Sequence, residues 1–224
     1  MQVRAEKIKK DFIRKSKGTN VFTAVQTCDF TLEAGKLTVI RGRSGGGKST
    51  LLNMLSGILL PTEGLVYYDD TDIYSLNDEA LSRFRNDNIG YVPQGKSAIT
   101  SLTVKENILL PEIMYGEADE KRADELMERF DIINLANAMP EELSGGELRR
   151  MAIARALIKN PQVLFADEPT GDLDDENTTI VFKALKQVAK EGTAVLMVTH
   201  EGEAENYADR VFRMDAGVLS EQDK

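Results

Sequence analysis

Four short apolar runs along the chain predict the strands of a buried β-sheet. They occupy residues 37–40, 89–92, 163–166 and 194–199. Each run is too short, and too rich in β-branched or aromatic side chains, to favour a buried helix. Because these strands are apolar on both faces, they are typical of a parallel sheet that helices cover on both sides.

Helical periodicity fills the segments between these runs. In residues 119–135, the apolar side chains of Leu126, Phe130 and Ile133 recur on one stripe, which is typical of an amphipathic helix. The other predicted helices occupy residues 50–60, 147–159 and 177–191. Strands that alternate with helices predict an α/β fold with a mostly parallel sheet.

Two further patterns predict how the chain is organised. Residues 95–160 contain helical patterns without intervening strands, which indicates an inserted α-helical lobe. Near the end of the chain, residues 211–213 and 218–220 predict an antiparallel hairpin with Gly217 in its turn. We therefore expect one folding unit over residues 1–224, in which residues 1–94 and 161–224 form the core with a small antiparallel β part.

The composition is that of an ordinary globular protein, with 42% hydrophobic and 29% charged residues. No run of about 18 apolar residues is present, so we expect no transmembrane helix. Charged side chains stand in the first residues where a signal peptide needs an apolar stretch, which argues against export. Cys28 is the single cysteine, so no intrachain disulfide can form and a reducing compartment is expected.

The charge balance argues against a nucleic-acid partner. The chain has 37 acidic and 28 basic side chains, a net charge of -9, whereas binding to a phosphate backbone relies on clustered Lys and Arg. Residues 1–20 are an exception, with seven basic and two acidic side chains. We interpret this basic stretch as the solvated face of a strand or hairpin.

The first chemical motif follows the first predicted strand of the sheet. Residues 42–49 satisfy the pattern G-x-x-x-x-G-K-[ST] and lead into a helix, which is the context that a P-loop requires. Such a loop binds phosphates with its backbone N–H groups and its lysine, while the hydroxyl after the lysine ligates Mg²⁺. The predicted phosphate-binding residues are Arg43, Ser44, Gly45, Gly46, Gly47, Lys48, Ser49 and Thr50. The sequence thus predicts a P-loop NTPase, a class that includes kinases, GTPases, helicases and transport motors.

Two carboxylates follow the strand at residues 163–166. Asp167 stands where it can hold Mg²⁺, and Glu168, on the other side of the chain, can polarise an attacking water. Taken alone, such a pair is as often a helix cap or a solvated turn. The P-loop favours the catalytic interpretation, because ligands of open α/β sheets bind at the carboxyl ends of the strands.

A second glycine-rich turn opens the helix predicted at residues 147–159. Leu143, Ser144, Gly145, Gly146 and Glu147 precede Asp167 by a little over twenty residues. Together with the P-loop and the carboxylate pair, in this order, the turn resembles the signature motif of ABC-type ATPases. The resemblance covers essentially the whole chain and implies a P-loop NTPase fold with a RecA-like core.

The resemblance implies roles for further residues. Gln94 matches the glutamine that senses Mg²⁺ and the attacking water, His200 matches the histidine that contacts the γ-phosphate, and Asp174 matches a residue that contacts the opposite protomer. Phe12 resembles the aromatic residue that stacks on adenine, with Phe22 as the alternative. Ser144, Gly145 and Gly146 would bind the γ-phosphate held by a partner subunit. Each of these residues, taken singly, also has an ordinary structural interpretation.

The signature also contains one departure from the common pattern. Glu147 stands where the family most often has Gln, and it adds negative charge beside a nucleotide, although its place in the first helical turn is favourable. Residues 61–64, 102–108, 168–174 and 198–201 are similar to the bacterial branch of lipoprotein-release, macrolide-efflux and FtsE-like ATPases.

The resemblance implies an ATP-hydrolysing subunit of a membrane ABC transporter, with ATP and Mg²⁺ as cofactors. Its partners would be a second ATPase subunit, in a head-to-tail dimer, and an integral membrane permease. Through the permease, the chain itself would be cytoplasmic and peripheral on the inner face of the cell membrane. The permease contact is expected near Gln94 and residues 95–113. Within that segment, the apolar side chains of residues 97–102 face either the permease or the lobe itself. The cargo would be a peptide, a lipoprotein or a drug-like molecule, in export or efflux.

Two other functions remain open at this point. A non-transport ABC ATPase of iron–sulfur assembly, or of a cell-division complex, has a compatible length. A small-molecule P-loop kinase would leave residues 143–147 and His200 unexplained. An integral membrane protein among the partners would favour transport, whereas a soluble assembly complex would contradict it.

Overall fold

Ten β-strands and six α-helices make up the part of the chain that the computed structural model describes, which is residues 1–16, 18–95, 97–116, 118–171 and 173–222. The strands are β1 (Val3–Ser16), β2 (Gly18–Leu32), β3 (Leu37–Arg41), β4 (Glu63–Tyr68), β5 (Thr71–Asp72), β6 (Ile89–Val92), β7 (Val163–Asp167), β8 (Ala194–Thr199), β9 (Arg210–Asp215) and β10 (Val218–Gln222). The helices are α1 (Lys48–Leu55), α2 (Asp78–Asn88), α3 (Val104–Ile113), α4 (Glu120–Arg129), α5 (Gly145–Leu157) and α6 (Asp175–Lys190).

The strands form two sheets. The larger has the order β10-β9-β3-β8-β7-β6, in which the five strands from β9 to β6 are parallel and β10 pairs antiparallel with β9. The smaller sheet is antiparallel, with the order β2-β1-β4-β5. The predicted fold class, a mostly parallel sheet with a small antiparallel part, is confirmed.

Both faces of the parallel sheet are buried, which explains the apolar runs in the sequence. In β7, Leu164 and Ala166 pack on the face covered by α3 to α6, whereas Val163 and Phe165 pack on the face covered by α1 and the antiparallel sheet. Side chains of a strand alternate between faces, so a strand covered on both sides needs apolar residues throughout. The four predicted strands are confirmed, and two of them extend one residue further, to Arg41 and Asp167.

The predicted helices differ from the observed ones mainly at their ends. The first was predicted over residues 50–60, but α1 ends at Leu55, because Gly57 takes a left-handed φ of 72°. The second was predicted to reach residue 135, but α4 ends at Arg129, and Asp131 is left-handed with φ 53°. A separate 3₁₀ turn then covers Ile133–Leu135. The predicted boundaries were wrong because apolar periodicity continues through such turns.

In the structure, the two remaining predicted helices begin before the residues at which their apolar patterns start. Helix α5 begins at Gly145 and ends at Leu157, and α6 covers Asp175–Lys190. Ser144 is the N-cap of α5 and Asp174 is the N-cap of α6. The signature turn and the Asp174 segment therefore each lie at the start of a helix.

Helices α2 and α3 were not predicted. Helix α2 contains no fully buried residue, and its apolar stripe is short, with Leu81 and Phe84 partly buried against the core. Helix α3 contains Pro111 near its end, and proline is uncommon inside a helix. Both begin at a side-chain cap, Asn77 and Thr103 respectively.

The predicted terminal hairpin is confirmed. Strands β9 and β10 pair antiparallel, and both residues of the connecting turn, Ala216 and Gly217, have positive φ values of 46° and 82°. The basic stretch near the start of the chain lies largely on β1 of the small antiparallel sheet. Lys17 lies outside the described residues, as do the side chains of residues 14–16 and 18–20.

The described part of residues 95–160 is helical and contains no strand: α3, α4 and α5 follow one another there, joined by turns. Their packing against β6 and α6 places this segment beside the parallel sheet. The exact division of the chain at residues 94 and 160 stays a prediction. None of the helices in the described ranges combines the length and the apolar character that crossing a lipid bilayer requires.

The side chain of Asn107 holds the loop that precedes α3. Its Nδ2 donates to the carbonyl oxygens of Ile99, Leu102 and Thr103, each at 3.0 Å. Its Oδ1 accepts a hydrogen bond from the backbone N–H of Ile99 at 2.8 Å. Because Asn107 is fully buried, these hydrogen bonds take the place of the hydrogen bonds that the loop backbone would otherwise form with water.

Replacing Asn107 by alanine should therefore destabilise the protein. The Asn107→Ala variant leaves buried carbonyl groups without donors, and we expect the free energy of unfolding to fall by about 2–3 kcal/mol. Urea denaturation followed by circular dichroism measures this loss. Asn134→Ala, at an exposed position, is the control and should change stability by less than about 0.5 kcal/mol. Equal effects of the two substitutions would contradict the structural role of Asn107.

Candidate nucleotide-binding site

The P-loop connects β3 to α1 and packs tightly against two neighbouring segments. A Cβ atom on Gly42 would lie 2.0 Å from the carbonyl oxygen of Met214, and one on Gly47 would lie 2.2 Å from that of Ala24. Gly47 also has a φ of 103°, which other residues rarely adopt. The glycines are therefore required by the approach of backbone to backbone, and the loop can wrap closely around a phosphate chain.

Lys48 is buried and lies across this loop. Its Nζ donates to the carbonyl oxygens of Gly42 at 2.9 Å and Arg43 at 3.1 Å. The same atom lies 3.4 Å from Glu168 Oε1. The ammonium group is thus held at the end of the cavity where a terminal phosphate would need a positive charge.

Ser49 and Asp167 form an oxygen-rich pair beside the lysine. Ser49 Oγ donates a hydrogen bond to Asp167 Oδ1 at 2.9 Å. Burial raises the pKa of Asp167 above its ordinary value, the Ser49 hydrogen bond opposes the rise, and the negative charge of Glu168 adds to it.

This pair fits a magnesium ion. A hydroxyl and a carboxylate are ligands that Mg²⁺ accepts, and a divalent cation would offset the cost of burying the Asp167 charge. In the described residues, no group of three or more His, Cys, Asp or Glu side chains could hold a metal ion by itself. The ion would therefore complete its shell with phosphate oxygens and water, as Mg²⁺ does in nucleotide sites.

Glu168 turns away from Asp167 and contacts His200. Its Oε2 lies 2.9 Å from His200 Nδ1 and accepts a hydrogen bond from the His200 backbone N–H at 3.2 Å. The backbone of Glu168 has a φ of 45°, an uncommon and strained value for a residue other than glycine. This conformation lets adjacent carboxylates face different partners, so one can serve a metal ion and the other a water molecule.

A cavity of about 320 Å³ lies in front of the P-loop. It is lined by Phe12, Phe22, Ala24, Ser44, Gly45, Gly46, Gly47, Lys48, Ser49, Thr50, Gln94 and Glu168. Phe12 and Phe22 are direct cross-strand partners of β1 and β2, so their rings share one face of the hairpin. The structure thus brings both candidate aromatic residues to the cavity, together with Gln94.

The signature residues lie elsewhere. The residues that line the P-loop cavity, all within the described ranges, include none of Ser144, Gly145 and Gly146. Ser144 and Gly145 are exposed at the N-terminus of α5, where Ser144 Oγ accepts a hydrogen bond from the Glu147 backbone. The P-loop and this helix N-terminus, the two segments for which phosphate binding is predicted, are therefore separate within one chain.

Glu147 is held by the helix cap. Its Oε2 accepts hydrogen bonds from the backbone N–H and the hydroxyl of Ser144, both at 2.7 Å. Both bonds lower the pKa of Glu147, and the bond from the Ser144 hydroxyl has the larger effect. The extra negative charge that the sequence places in the signature is thus engaged by the capping box.

Asn177 links the signature helix to Asp174, and the sequence analysis did not identify it. Its side-chain Nδ2 donates to Asp174 Oδ1 at 2.9 Å, and its Oδ1 accepts from Arg150 at 3.1 Å. A Cβ atom on Gly146 would lie 2.3 Å from Asn177 Oδ1. The available signal was an Asn three residues after an Asp N-cap, which by itself indicates only a helix start.

Asp174 acts as the N-cap of α6 within the chain. Its Oδ1 accepts from the Asn177 backbone N–H at 2.8 Å, and this bond is the main reason that the pKa of Asp174 is lowered. Asp172, the second acidic residue of the same motif, lies outside the described residues.

Comparison with known proteins yields consistent matches. A family model described as ABC transporter matches residues 25–171. An uncharacterized ABC transporter ATP-binding protein of Methanocaldococcus jannaschii is 39% identical over 209 residues, which cover 92% of this chain and 93% of the relative. The lipoprotein-releasing system ATP-binding protein LolD 1 of Rhodopseudomonas palustris is 38% identical over 226 residues, covering 96% and 99%.

A solved structure has the same fold over nearly its whole length. It is a dimeric, post-hydrolysis state of the ATP-binding cassette MJ0796, from Methanocaldococcus jannaschii, bound to ADP and phosphate. Its TM-score is 0.89 at 33% identity, with 99% of each chain covered.

The contact between Gly146 and Asn177 predicts a coupled mutational effect. In Gly146→Ala, the new methyl group would collide with the Asn177 side chain, and we expect the free energy of unfolding to fall by about 1–3 kcal/mol. In an Asn177→Ala background, the same substitution should be neutral or stabilising, because alanine favours a helix more than glycine does. Urea denaturation of the four proteins in this double-mutant cycle measures the coupling. An additive result would contradict the contact.

Proposed function

The chain belongs to the ABC transporter family of ATP-binding cassettes, and on that premise we propose that it hydrolyses ATP as the nucleotide-binding subunit of a membrane transporter. The observation that carries the proposal is that Lys48, Ser49 and Glu168 line the P-loop cavity, with Asp167 in contact with Ser49 and His200 in contact with Glu168. A phosphate-binding loop with a cation, a metal pair and a base at its end is what ATP hydrolysis requires.

In this proposal, ATP lies along the P-loop cavity. The backbone of residues 43–50 holds the phosphates, with Lys48 at the β- and γ-phosphates. The adenine stacks on the aromatic face formed by Phe12 and Phe22, which are cross-strand partners and are 38% and 40% exposed. Each ring offers an apolar surface that a base can cover.

We assign Mg²⁺ to Ser49, Asp167 and Gln94. The first two are in hydrogen-bond contact, and Gln94 lines the same cavity. When bound, the ion neutralises charge on the β- and γ-phosphates. The role of this chain is to hold Ser49 Oγ and Asp167 Oδ1 at the phosphate end of the cavity.

Glu168 is proposed to orient the attacking water and accept its proton. His200 supports this role through two groups, because its backbone N–H and its Nδ1 both lie within hydrogen-bond distance of Glu168 Oε2. Lys48 and His200 also neutralise charge that develops on the γ-phosphate. The protein thus contributes positioning and electrostatic stabilisation, without a covalent intermediate.

A head-to-tail dimer would complete the site. Ser144, Gly145 and Gly146 lie outside the P-loop cavity of their own chain, although Ser144 and Gly145 are exposed at a helix N-terminus suited to a phosphate. We propose that they cover the γ-phosphate bound to a second ATPase subunit, and that Asp174 contacts the same subunit. In a two-fold dimer, this exchange builds two composite sites.

An apolar groove beside α3 is the proposed docking surface for the permease. This groove has a volume of about 370 Å³ and is lined by Ser56, Ile58, Ser82, Arg85, Asn86, Ile89, Tyr91, Leu110, Pro111, Met114, Tyr115 and Arg155. Ile58 and Met114 are 53% and 64% exposed, which is unusual for large apolar side chains. A short amphipathic helix from a membrane subunit fits such a surface.

The loop at residues 97–102, the other expected contact, is largely tied to the lobe. Arg155 donates to the backbone and hydroxyl oxygens of Ser97 at 2.9 and 2.7 Å, and Asn107 binds the backbone of Ile99. The Ile99 side chain remains 39% exposed. We therefore place the permease contact mainly on the groove beside α3.

With a permease as partner, the chain would lie in the cytoplasm, on the inner face of the cell membrane. Its similarity to LolD 1, a lipoprotein-releasing system ATP-binding protein, supports an exporter of peptide, lipoprotein or drug-like cargo.

The Glu168→Gln variant tests the hydrolysis proposal. Glutamine keeps the shape of the side chain but cannot accept a proton, so we expect ATP binding to persist and turnover to fall by about 10²–10⁴-fold. The variant should also form a dimer in ATP, because the bound nucleotide is no longer cleaved. Phosphate release and light scattering after size exclusion measure the two effects. Unimpaired hydrolysis would remove Glu168 from the role of base.

A charge in the groove tests the permease contact. Met114→Glu should abolish co-purification of an integral membrane protein from detergent extract, because a carboxylate would be buried in an apolar contact. Val218→Glu, at a site that is 55% exposed on β10, is the matched control and should keep the partner. ATP turnover by the isolated Met114→Glu chain should equal that of the parent. Capture of a soluble assembly complex in place of a membrane protein would contradict the transport proposal.

A further inference from the structure

We propose that an arginine rim beside the P-loop, formed by Arg41, Arg43 and Arg213, receives an acidic turn, Asp175 and Glu176, from a second copy of this chain. The inference rests on the head-to-tail dimer proposed above and adds a second contact to it. Neither the P-loop nor the signature motif contains the acidic turn or Arg213.

The arginine rim surrounds a cavity of about 340 Å³ that adjoins the active site. Gly42, His200, Glu205 and Gln222 complete its lining. Two of the lining residues also belong to the phosphate end of the site, since Arg43 is part of the P-loop and His200 contacts Glu168. Anything that binds in this cavity therefore lies next to the γ-phosphate position.

The charges of the rim are only partly balanced within the chain. Arg41 pairs with Glu205 at 2.5 Å, but its buried Nε has no hydrogen-bond partner among the described residues. Arg43 and Arg213 are exposed, and neither side chain forms an ion pair with any residue in the described ranges. Such a concentration of cationic groups, on a chain with a net charge of -9, is suited to an anionic partner.

The acidic turn has the complementary properties. Asp175 and Glu176 are exposed at the start of α6. Their neighbour Asp174 uses its carboxylate to cap the helix, so it is engaged within the chain. The two carboxylates after it remain available at the surface.

The acidic turn and the signature helix lie side by side in one chain. Asn177 connects them, because it hydrogen-bonds to Asp174 and Arg150 and packs against Gly146. If the signature of one copy covers the P-loop of another, the acidic turn would lie near that P-loop as well, because Asn177 holds it beside the signature helix. The arginine rim is the cationic surface found there.

Electrostatic repulsion between two copies of this chain would oppose dimerisation, and this contact would offset part of it. Two copies with a net charge of -9 each repel one another, and bound ATP adds further negative charge. Two-fold symmetry would place one rim against one acidic turn at each composite site, so every dimer gains the contact twice. Local pairs of opposite charge guide such an association and select its orientation.

Reciprocal charge reversal tests the proposal in the Glu168→Gln background, which should hold the dimer in ATP. The rim variant carries Arg213→Glu, and the turn variant carries Asp175→Lys with Glu176→Lys. In either variant alone, each composite site gains a repulsive pair of like charges, and we expect dimerisation to weaken at least about tenfold. In a mixture of the two, the carboxylate of Arg213→Glu meets the new lysines at one site and the parent charges meet at the other, so the heterodimer should form at least about threefold more tightly than either variant dimerises alone.

Fluorescence energy transfer between differently labelled variants measures the heterodimer, and Lys183→Glu, an exposed cation elsewhere on α6, is the matched control. Thermal unfolding without nucleotide checks that each variant is folded. Dimerisation of both single variants at the parent affinity would overturn the inference. Weakening by Arg213→Glu that the turn variant does not restore would also overturn it, and would indicate a small anion in the cavity. Absence of an ATP-dependent dimer in the parent itself would instead contradict the proposed dimer.

Discussion

The close approach of the P-loop backbone to two other segments is the constraint on which the site depends. Gly42 and Gly47 lie against carbonyl groups of Met214 and Ala24, where no side chain would fit. The Gly217 N–H donates to the carbonyl of Gly46 at 3.0 Å, which ties the same loop to the terminal hairpin. The antiparallel sheet and the hairpin thus both hold the loop, and Lys48 is held in place across it.

The end of β7 separates the chemistry of two adjacent carboxylates. Because side chains alternate along a strand, and because Glu168 takes a strained left-handed conformation, Asp167 faces Ser49 while Glu168 faces Lys48 and His200. The neighbouring strand β8 delivers His200 to the same edge of the sheet. One edge of a parallel sheet therefore brings together groups that lie far apart in the sequence.

The charged surfaces are distributed so that one chain holds complementary halves. The P-loop and the arginine rim lie together, and the signature and the acidic turn lie together, joined by Asn177. Such a division has little use in a monomer, because the two segments for which phosphate binding is predicted do not meet within it. It suits an assembly in which each copy supplies what the other lacks.

Local sequence patterns determined much of this protein. The four buried strands, the P-loop and the carboxylate pair could be predicted because each depends on neighbouring residues or on burial of both faces of a strand. The ends of α1 and α4 were wrong, since left-handed turns at Gly57 and Asp131 interrupt an apolar pattern that continues beyond them. The family itself was correctly predicted from the order of the motifs.

Only the tertiary structure decided which distant residues meet. Phe12 and Phe22 share one face because of the register of a long hairpin, and Asn177 meets Gly146 because α6 packs beside the start of α5. Arg213 joins Arg41 and Arg43 because β9 pairs with β3. The sequence alone could determine the chemistry of each segment, since that depends on local residue types. Which segments meet at a given surface depends on strand order and helix packing. Both are determined by the free energy of folding of the whole core, which no single segment contains.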